Sequence, residues 1–209
     1  MQQSVLELFS ARNGHFLLES GHHGDFWLDL ERLCLRPRLL QPYIGKLSDR
    51  FKPLRIDAVC GPLVEGAFVG LMVADRLNIE FTYSERFSRP TSDGLFPIGY
   101  RVPKPLRASL RGKRVAIVND VINAGSAVKG TFADLQDCGA SVIAIGALLA
   151  LGSAASEFAA QVNVVLETLA VRPNNLWLAE ECPLCAASVL LEIDASTGQP
   201  PLVPPAKLA

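Results

Sequence analysis

One segment indicates the fold better than any other: Val115-Ala-Ile-Val-Asn-Asp-Val-Ile-Asn-Ala-Gly-Ser-Ala127. Its apolar start, Val115–Val118, is typical of a strand buried on both faces. Polar residues follow at the end of that strand, and then the small-residue loop Asn123–Ala127. From Val128 to Asp137 the apolar residues recur at helical spacing. The segment therefore predicts strand, tight loop and helix, a geometry in which helix N–H groups bind phosphate.

The same alternation of strands and helices runs through most of the chain. Strands are predicted at Ile56–Cys60, Ile79–Tyr83, Lys113–Val118, Ser141–Leu149 and Asn163–Thr168. Helices are predicted at Pro37–Arg50, Ala67–Leu77, Val128–Asp137 and Ser153–Ala160. This order implies an α/β fold with a mostly parallel central sheet flanked by helices. Ahead of it, His15–Leu18 and Asp25–Leu28 predict a small hairpin.

We predict a single domain over residues 1–209. It comprises an N-terminal hood segment (1–36), an α/β core (37–170) and an irregular C-terminal tail (171–209). Within the core, Ser84–Arg111 is predicted to be an irregular lid, with a hairpin around Phe96–Val102 as one alternative. Ligands of such sheets bind at the carboxyl ends of the strands, so the loops after the strands are expected to share one rim.

Composition restricts the classes of function. The chain has 209 residues, a net charge of -1 and 49% hydrophobic residues, which is ordinary for a globular protein. That charge gives no general attraction to nucleic acid or to an anionic membrane, and there is no basic stripe with interleaved aromatic residues. The longest apolar run, Val142–Gly152, is too short to span a bilayer. With no visible signal peptide, a soluble cytoplasmic protein is the expectation.

Five cysteines are present, and their odd number argues against a disulfide framework. Cys182 and Cys185 have the spacing of half a zinc site. No second C-x-x-C or H-x-x-x-H accompanies them, and a closed structural zinc site needs four ligands. We therefore predict no metal ligands, and favour a plain turn or a pair of reduced thiols over zinc.

The central segment resembles the phosphoribosyl pyrophosphate (PRPP) motif of type I phosphoribosyltransferases. That pattern is an apolar run, two acidic residues, two apolar residues and then Thr-(Thr/Ala)-Gly-x-(Ser/Thr). The resemblance implies that Asn119 and Asp120 hold the ribose hydroxyls, with Asp120 as the remaining carboxylate. It implies that the 5-phosphate is held by a loop of five residues: Asn123, Ala124, Gly125, Ser126 and Ala127.

The order of elements is most similar to that of orotate phosphoribosyltransferases. Their hairpin has a Ser-Gly turn followed by two aromatic residues over the pyrimidine ring, and the matching residues are Phe26 and Trp27; core packing is the alternative. Arg86 and Arg89 would cover the diphosphate, with solvated loop charge as the alternative. The similar pyrophosphate loop comprises Gly61, Pro62, Leu63, Val64, Glu65 and Gly66. By this resemblance Asp120 and Arg86 are the catalytic residues.

The chain departs from the family pattern at several positions. Asn119 replaces an acid, Asn123 replaces Thr and Glu65 replaces Gly, while the lid contains no His. His22 and His23 are predicted to be exposed turn residues, with substitution for the missing lid His as the alternative.

Two functions follow. The first is transfer of the 5-phosphoribosyl group of PRPP to orotate or a related pyrimidine, with Mg2+ bound through PRPP and a homodimer expected. The second is a non-catalytic PRPP- or nucleotide-binding or regulatory protein on the same fold.

Overall fold

The computed structural model describes residues 5–18, 21–88 and 98–193. Nine strands lie in this part of the chain: β1 Ser10–Leu17, β2 His23–Asp29, β3 Ala58–Pro62, β4 Glu80–Ser88, β5 Ile98–Arg101, β6 Arg114–Ile122, β7 Ser141–Leu151, β8 Val165–Arg172 and β9 Leu176–Trp177. The helices used below are α1 Pro37–Phe51, α2 Glu65–Leu77, α3 Lys104–Arg107, α4 Ser126–Asp137, α5 Ala154–Gln161 and α6 Pro183–Ala186.

The larger sheet has six strands in the order β5-β4-β3-β6-β7-β8. Every pairing in it is parallel except that of β4 with β5, which is antiparallel. Apolar residues of α1 and α2 pack on one face, and those of α4 and α5 pack on the other. The predicted α/β fold with a mostly parallel, helix-flanked sheet is confirmed.

The centre of the sheet explains why its sequence has no polar alternation. In β6, Val115 and Ile117 belong to the core on the α4 side, whereas Ala116 and Val118 belong to the core on the α1 side. All four side chains are fully buried. Successive strand residues point to opposite faces, so a strand covered on both faces reads as a continuous apolar run.

The lid region differs from its prediction. β4 continues to Ser88, and it pairs with β5 so that Arg86 lies opposite Tyr100 and Glu85 opposite Arg101. The hairpin is therefore built from β4 and β5, and β5 lies within the predicted range Phe96–Val102. Opposite charges across the two strands favour this pairing, and the Arg101 guanidinium lies 4.7 Å from the Phe87 ring centroid. Arg89 lies outside the described residues.

A second, antiparallel sheet has the order β1-β2-β9. From here on, the hood means this sheet together with residues 178–193, a different set of residues from the predicted N-terminal hood segment 1–36. The predicted hairpin is present as β1 and β2. Residues 171–193 were expected to be irregular, but the structure contains regular elements there. Strand β8 extends to Arg172, β9 pairs with β2, and α6 follows. A two-residue strand is too short to show alternation in sequence. Residues 194–209 lie outside the described part.

Membrane insertion by a helix was also considered. Among the described residues, none of the helices has the length and apolar character needed to cross a bilayer.

Candidate active site

A cleft of about 410 Å3 lies where β3 and β6 end. It is lined by the loop Pro62–Gly66, the segment Asn119–Val128, and the side chains of Phe26, Trp27 and Arg86. The structure thus brings together nearly all the residues predicted from sequence for the site. The exceptions are Gly61, considered below, and Arg89, which lies outside the described residues.

The predicted phosphate loop leads directly into α4. Gly125 precedes the helix with φ +81°, a left-handed conformation that favours glycine. Among the described residues, no side chain caps the start of α4. The first N–H groups of a helix have no partner within the helix, and they carry partial positive charge. At Asn123, Oδ1 accepts a hydrogen bond of 2.7 Å from Asn174 Nδ2, which holds the start of the loop. The loop therefore offers N–H donors to an anion.

The second loop joins β3 to α2. The Leu63 N–H donates to the Ser84 carbonyl at 2.9 Å, which fixes this loop beside β4, and the Leu63–Val64 peptide bond is cis. As at α4, the described residues provide no side-chain cap for α2. Gly61 lies behind the cleft, where a Cβ would approach Cα of Ala67 to 2.5 Å. Gly61 thus allows the strand to pack closely against α2, and two helix N-termini lie at one cleft.

Asp120 occupies the floor of the cleft near the end of β6. It is only 4% exposed, and its Oδ2 has no hydrogen-bond partner within the described part of the chain. The pKa of Asp120 is raised to about 7, mainly by burial and in part by the nearby Glu65 carboxylate, while hydrogen bonds from backbone N–H groups act in the opposite direction. An orphaned buried acceptor of this kind fits a ligand that donates a hydroxyl proton or supplies a cation.

Asn119 is held by contacts within the protein. Its Nδ2 donates to the carbonyl of Val121 at 2.7 Å. Its Oδ1 lies so close to Gly66 that a Cβ at that position would overlap it. The residue that replaces the first acid of the family pattern therefore connects the end of β6 to the first turn of α2.

The two aromatic residues of β2 have different surroundings. Phe26 is buried in the main core, and the Arg172 guanidinium lies 3.5 Å from its ring centroid. Trp27 is half-buried: its Nε1 donates to Asp29 Oδ1 at 3.1 Å, and its ring centroid lies 5.8 Å from that of Phe16. Both line the cleft. The sequence left two alternatives for these residues, contact with the base or packing in the core. Phe26 packs in the core and also lines the cleft.

Two residues, Tyr100 and His23, were missed or misplaced by the sequence reasoning. Tyr100 lines the cleft from β5, opposite Arg86, and is 5% exposed. Its place depends on the β4–β5 pairing, for which the sequence reasoning found no signal. The prediction of exposed turn histidines is wrong for His23, which is a buried residue of β2. Its ring faces His15 and not the cleft.

Comparison with known proteins identifies the family. A model described as phosphoribosyl transferase domain matches residues 38–181. The chain belongs to the phosphoribosyltransferase family. That match covers the large sheet from α1 through β8, and the predicted family and enzyme class are confirmed.

Relatives in this family match the chain over most of its length. The orotate phosphoribosyltransferase of Caldanaerobacter subterraneus subsp. tengcongensis is 28% identical, over 91% of this chain and 95% of the relative. That of Thermotoga maritima is 28% identical, over 95% of this chain and 99% of the relative. The crystal structure of orotate phosphoribosyltransferase from Aeropyrum pernix has a TM-score of 0.61 at 25% identity, covering 82% of this chain and 94% of that one.

A phosphoribosyltransferase named for a purine has a similar fold. The crystal structure of adenine phosphoribosyl transferase from Trypanosoma brucei has a TM-score of 0.64 at 18% identity, covering 81% of this chain and 78% of that one. At this identity the likeness concerns the fold alone.

Proposed function

We propose that the protein transfers the 5-phosphoribosyl group of PRPP to orotate or a related pyrimidine and releases pyrophosphate. The observation that carries the proposal is the meeting of two uncapped helix N-termini, α2 and α4, with the orphaned carboxylate of Asp120 in one cleft. PRPP carries a phosphate, a diphosphate and sugar hydroxyls, and each has a matching group here.

Each end of PRPP has a place in this arrangement. The 5-phosphate accepts hydrogen bonds from the N–H groups after Gly125 and from the Ser126 hydroxyl. A ribose hydroxyl donates to Asp120 Oδ2, which satisfies that buried acceptor. The leaving diphosphate lies at Pro62–Gly66, and Arg86 stabilises the negative charge that grows on it.

The residues of the cleft fit a magnesium ion bound mainly through the substrate. Among the described lining residues there are three carboxylates, Glu31, Glu65 and Asp120, and one guanidinium, Arg86. Such a set repels a bare polyanion, whereas a hard cation prefers oxygen ligands from both carboxylates and phosphates. Glu65 and Asp120 are the residues that would face the ion. Bound Mg2+ would supply charge neutralisation to the diphosphate oxygens.

The choice of base rests on the hood. Phe26 and Trp27 bring aromatic surface to the cleft, and several relatives are named orotate phosphoribosyltransferase. A flat pyrimidine stacks favourably on such rings. A homodimer and a cytoplasmic location stay predictions from the sequence.

The test is titration of the full chain with PRPP and Mg2+ in a calorimeter, followed by addition of orotate and a panel of other bases while pyrophosphate release is measured. We expect binding of PRPP and turnover with orotate. Asp120→Asn should lower kcat/KM by at least about tenfold, because it removes the carboxylate that binds the sugar. The matched control is Asp137→Asn, at the exposed far end of α4.

The alternative function is a non-catalytic binder or regulatory protein. It is favoured by Asn119, because its amide already donates a hydrogen bond to the Val121 carbonyl. It is also favoured by Glu65, which places a carboxylate in the diphosphate loop. PRPP binding without turnover on any base would select this alternative. Absence of PRPP binding by the folded protein would reject both functions.

A further inference from the structure

Four potential metal ligands meet in the hood, away from the cleft. They are His15 on β1, His23 on β2, and Cys182 and Cys185 at the start of α6. Their ligand atoms all lie within 4.8 Å of one another. We propose that these four side chains bind one zinc ion, which attaches residues 178–193 to the β1–β2 hairpin.

Four of the six distances within this cluster are close to those of a tetrahedral zinc site. His15 Nε2 lies 2.9 Å from His23 Nδ1 and 3.4 Å from Cys182 Sγ. Cys185 Sγ lies 3.7 Å from His15 Nε2 and 3.3 Å from His23 Nδ1. Zinc bonds of about 2.0 Å to nitrogen and about 2.3 Å to sulfur place tetrahedral ligands roughly 3.3 to 3.8 Å apart. Binding of the ion would move the two imidazole nitrogens, now 2.9 Å apart, outward by a few tenths of an ångström.

Hydrogen bonding alone does not satisfy this cluster. His15 Nδ1 lies 2.9 Å from the carbonyl of Val189. Because a carbonyl only accepts, Nδ1 carries the proton and Nε2 presents its single lone pair to the cluster. That lone pair faces three neighbours, His23 Nδ1, Cys182 Sγ and Cys185 Sγ. One lone pair cannot accept a proton from all three, whereas one metal ion can bind all four ligand atoms.

The bond to Val189 also has the form found around metal-binding histidines. Such a histidine usually donates its other N–H to a carbonyl or a carboxylate, which fixes the tautomer and the ring orientation. His15, His23 and Cys182 are buried, and the set of two nitrogen and two sulfur ligands suits zinc. With four protein ligands the site would be closed and structural.

The hood explains what the ion would contribute. Within 178–193, Cys182 is the one residue in the buried class, so this segment has almost no apolar core of its own. It is also held to β1 by the bond of His15 Nδ1 to the Val189 carbonyl, by backbone bonds of Glu192 with His15 and Leu17, and by the Arg12–Glu192 ion pair. A short segment that buries so little apolar surface gains stability from an additional attachment such as a bound metal ion.

The first test measures metal in the full-length protein, purified without chelator and dialysed. We expect about one zinc per chain, and cobalt substitution should give the d–d absorption of a tetrahedral site with thiolate ligands. Cys185→Ser, at an exposed position, should lower the zinc content to less than about a fifth. Cys138→Ser, a half-buried cysteine outside the cluster, is the matched control and should keep the full content.

The second test locates the effect of the metal by hydrogen exchange. Removal of zinc by a chelator should increase exchange in residues 10–29 and 178–193 at least about tenfold, with little change in β6 and β7. A zinc content near zero together with no cobalt spectrum would overturn the proposal. So would full zinc content in Cys185→Ser, another metal at the same four residues, or a Cys182–Cys185 disulfide in protein purified without metal.

Discussion

The rim of the large sheet and the hood are built by different means. The rim is carried by β3 and β6, which are buried on both faces between two apolar cores. In the hood, β2 contributes Phe26 and Leu28 to the main core, but residues 178–193 are attached mainly by polar contacts: the His–Cys cluster and the Arg12–Glu192 pair. The stability of the rim is spread over many buried apolar side chains, whereas each polar contact of the hood can be removed by one substitution. The two regions should therefore respond differently to substitution.

The largest effect is expected in the core under the rim. Leu148 in β7 is fully buried, and Leu148→Ala should lower the free energy of unfolding by about 3 kcal/mol through lost burial and an unfilled cavity. Urea denaturation measures this loss. Leu39→Ala, at a side chain that is 58% exposed, is the control and should change little. A loss below about 1 kcal/mol would contradict the view that burial carries this region.

The next effect concerns Asp120 and depends on pH. Burial raises its pKa in the folded protein to about 7 from an ordinary value of 3.8. Between these values the folded state holds a proton that the unfolded state has released, so stability falls as pH rises. Asp120→Asn removes this dependence, and its stability relative to the native protein should rise by roughly 2 kcal/mol from about pH 4.5 to about pH 6.

The measurement is denaturation by urea at a series of pH values, on the protein without substrate. Asp137→Asn replaces an exposed carboxyl and should show no such change. If the free energies of unfolding of the Asp120→Asn variant and the native protein change with pH in the same way, the pKa of Asp120 is not raised by burial, and the prediction is wrong.

A smaller effect is expected when Asn119 is replaced by the acidic residue that the family pattern has at this position. Asn119→Asp removes the N–H that donates to the Val121 carbonyl and places a carboxylate beside Asp120. We expect a loss of about 1 to 2 kcal/mol in the free energy of unfolding near pH 8. The loss should shrink near pH 5, where Asp120 is protonated and no longer repels the introduced carboxylate. A gain in stability at high pH would show that Asn119 does not have the role described above.

The smallest effect is expected from a surface pair of the hood. The side chains of Arg12 and Glu192 are 40% and 23% exposed, with Nη1 and Oε2 3.2 Å apart. Arg12→Ala should cost less than about 1 kcal/mol overall, yet hydrogen exchange should increase locally in residues 185–193. Lys52→Ala, which breaks the exposed pair with Asp49, is the control and should leave that segment unchanged. Equal exchange in both variants would argue against polar attachment of the hood.

The same contrast explains what the sequence could predict. Strands buried on both faces leave a continuous apolar run, and the loops that follow them lie at one edge of the sheet, so the rim was found from local pattern and spacing. Two local arrangements were not found from sequence: the Asn119 side chain points toward Gly66, and the backbone of Gly61 packs behind the cleft. Such orientations depend on neighbours from other elements.

The hood was harder to predict because its contacts join distant parts of the chain. His15 and Cys182 are 167 positions apart, and no spacing rule connects them. His15 and His23 meet across a hairpin whose register is irregular between Asn13 and Phe16. A pattern search for ligands at fixed separations therefore sees Cys182 and Cys185 alone. Three-dimensional pairing of β1 with β2 is what completes the set.

The pairing of β4 with β5 also has a use in protein engineering. Ser88 and Ile98 are the terminal partners of this ladder, and β5 is held to α4 by the bond from the Val102 N–H to Asp134 Oδ2 at 2.7 Å. Partners across antiparallel strands are about 5 Å apart. A transplanted loop that joins these two strand ends would therefore need to bridge only that gap.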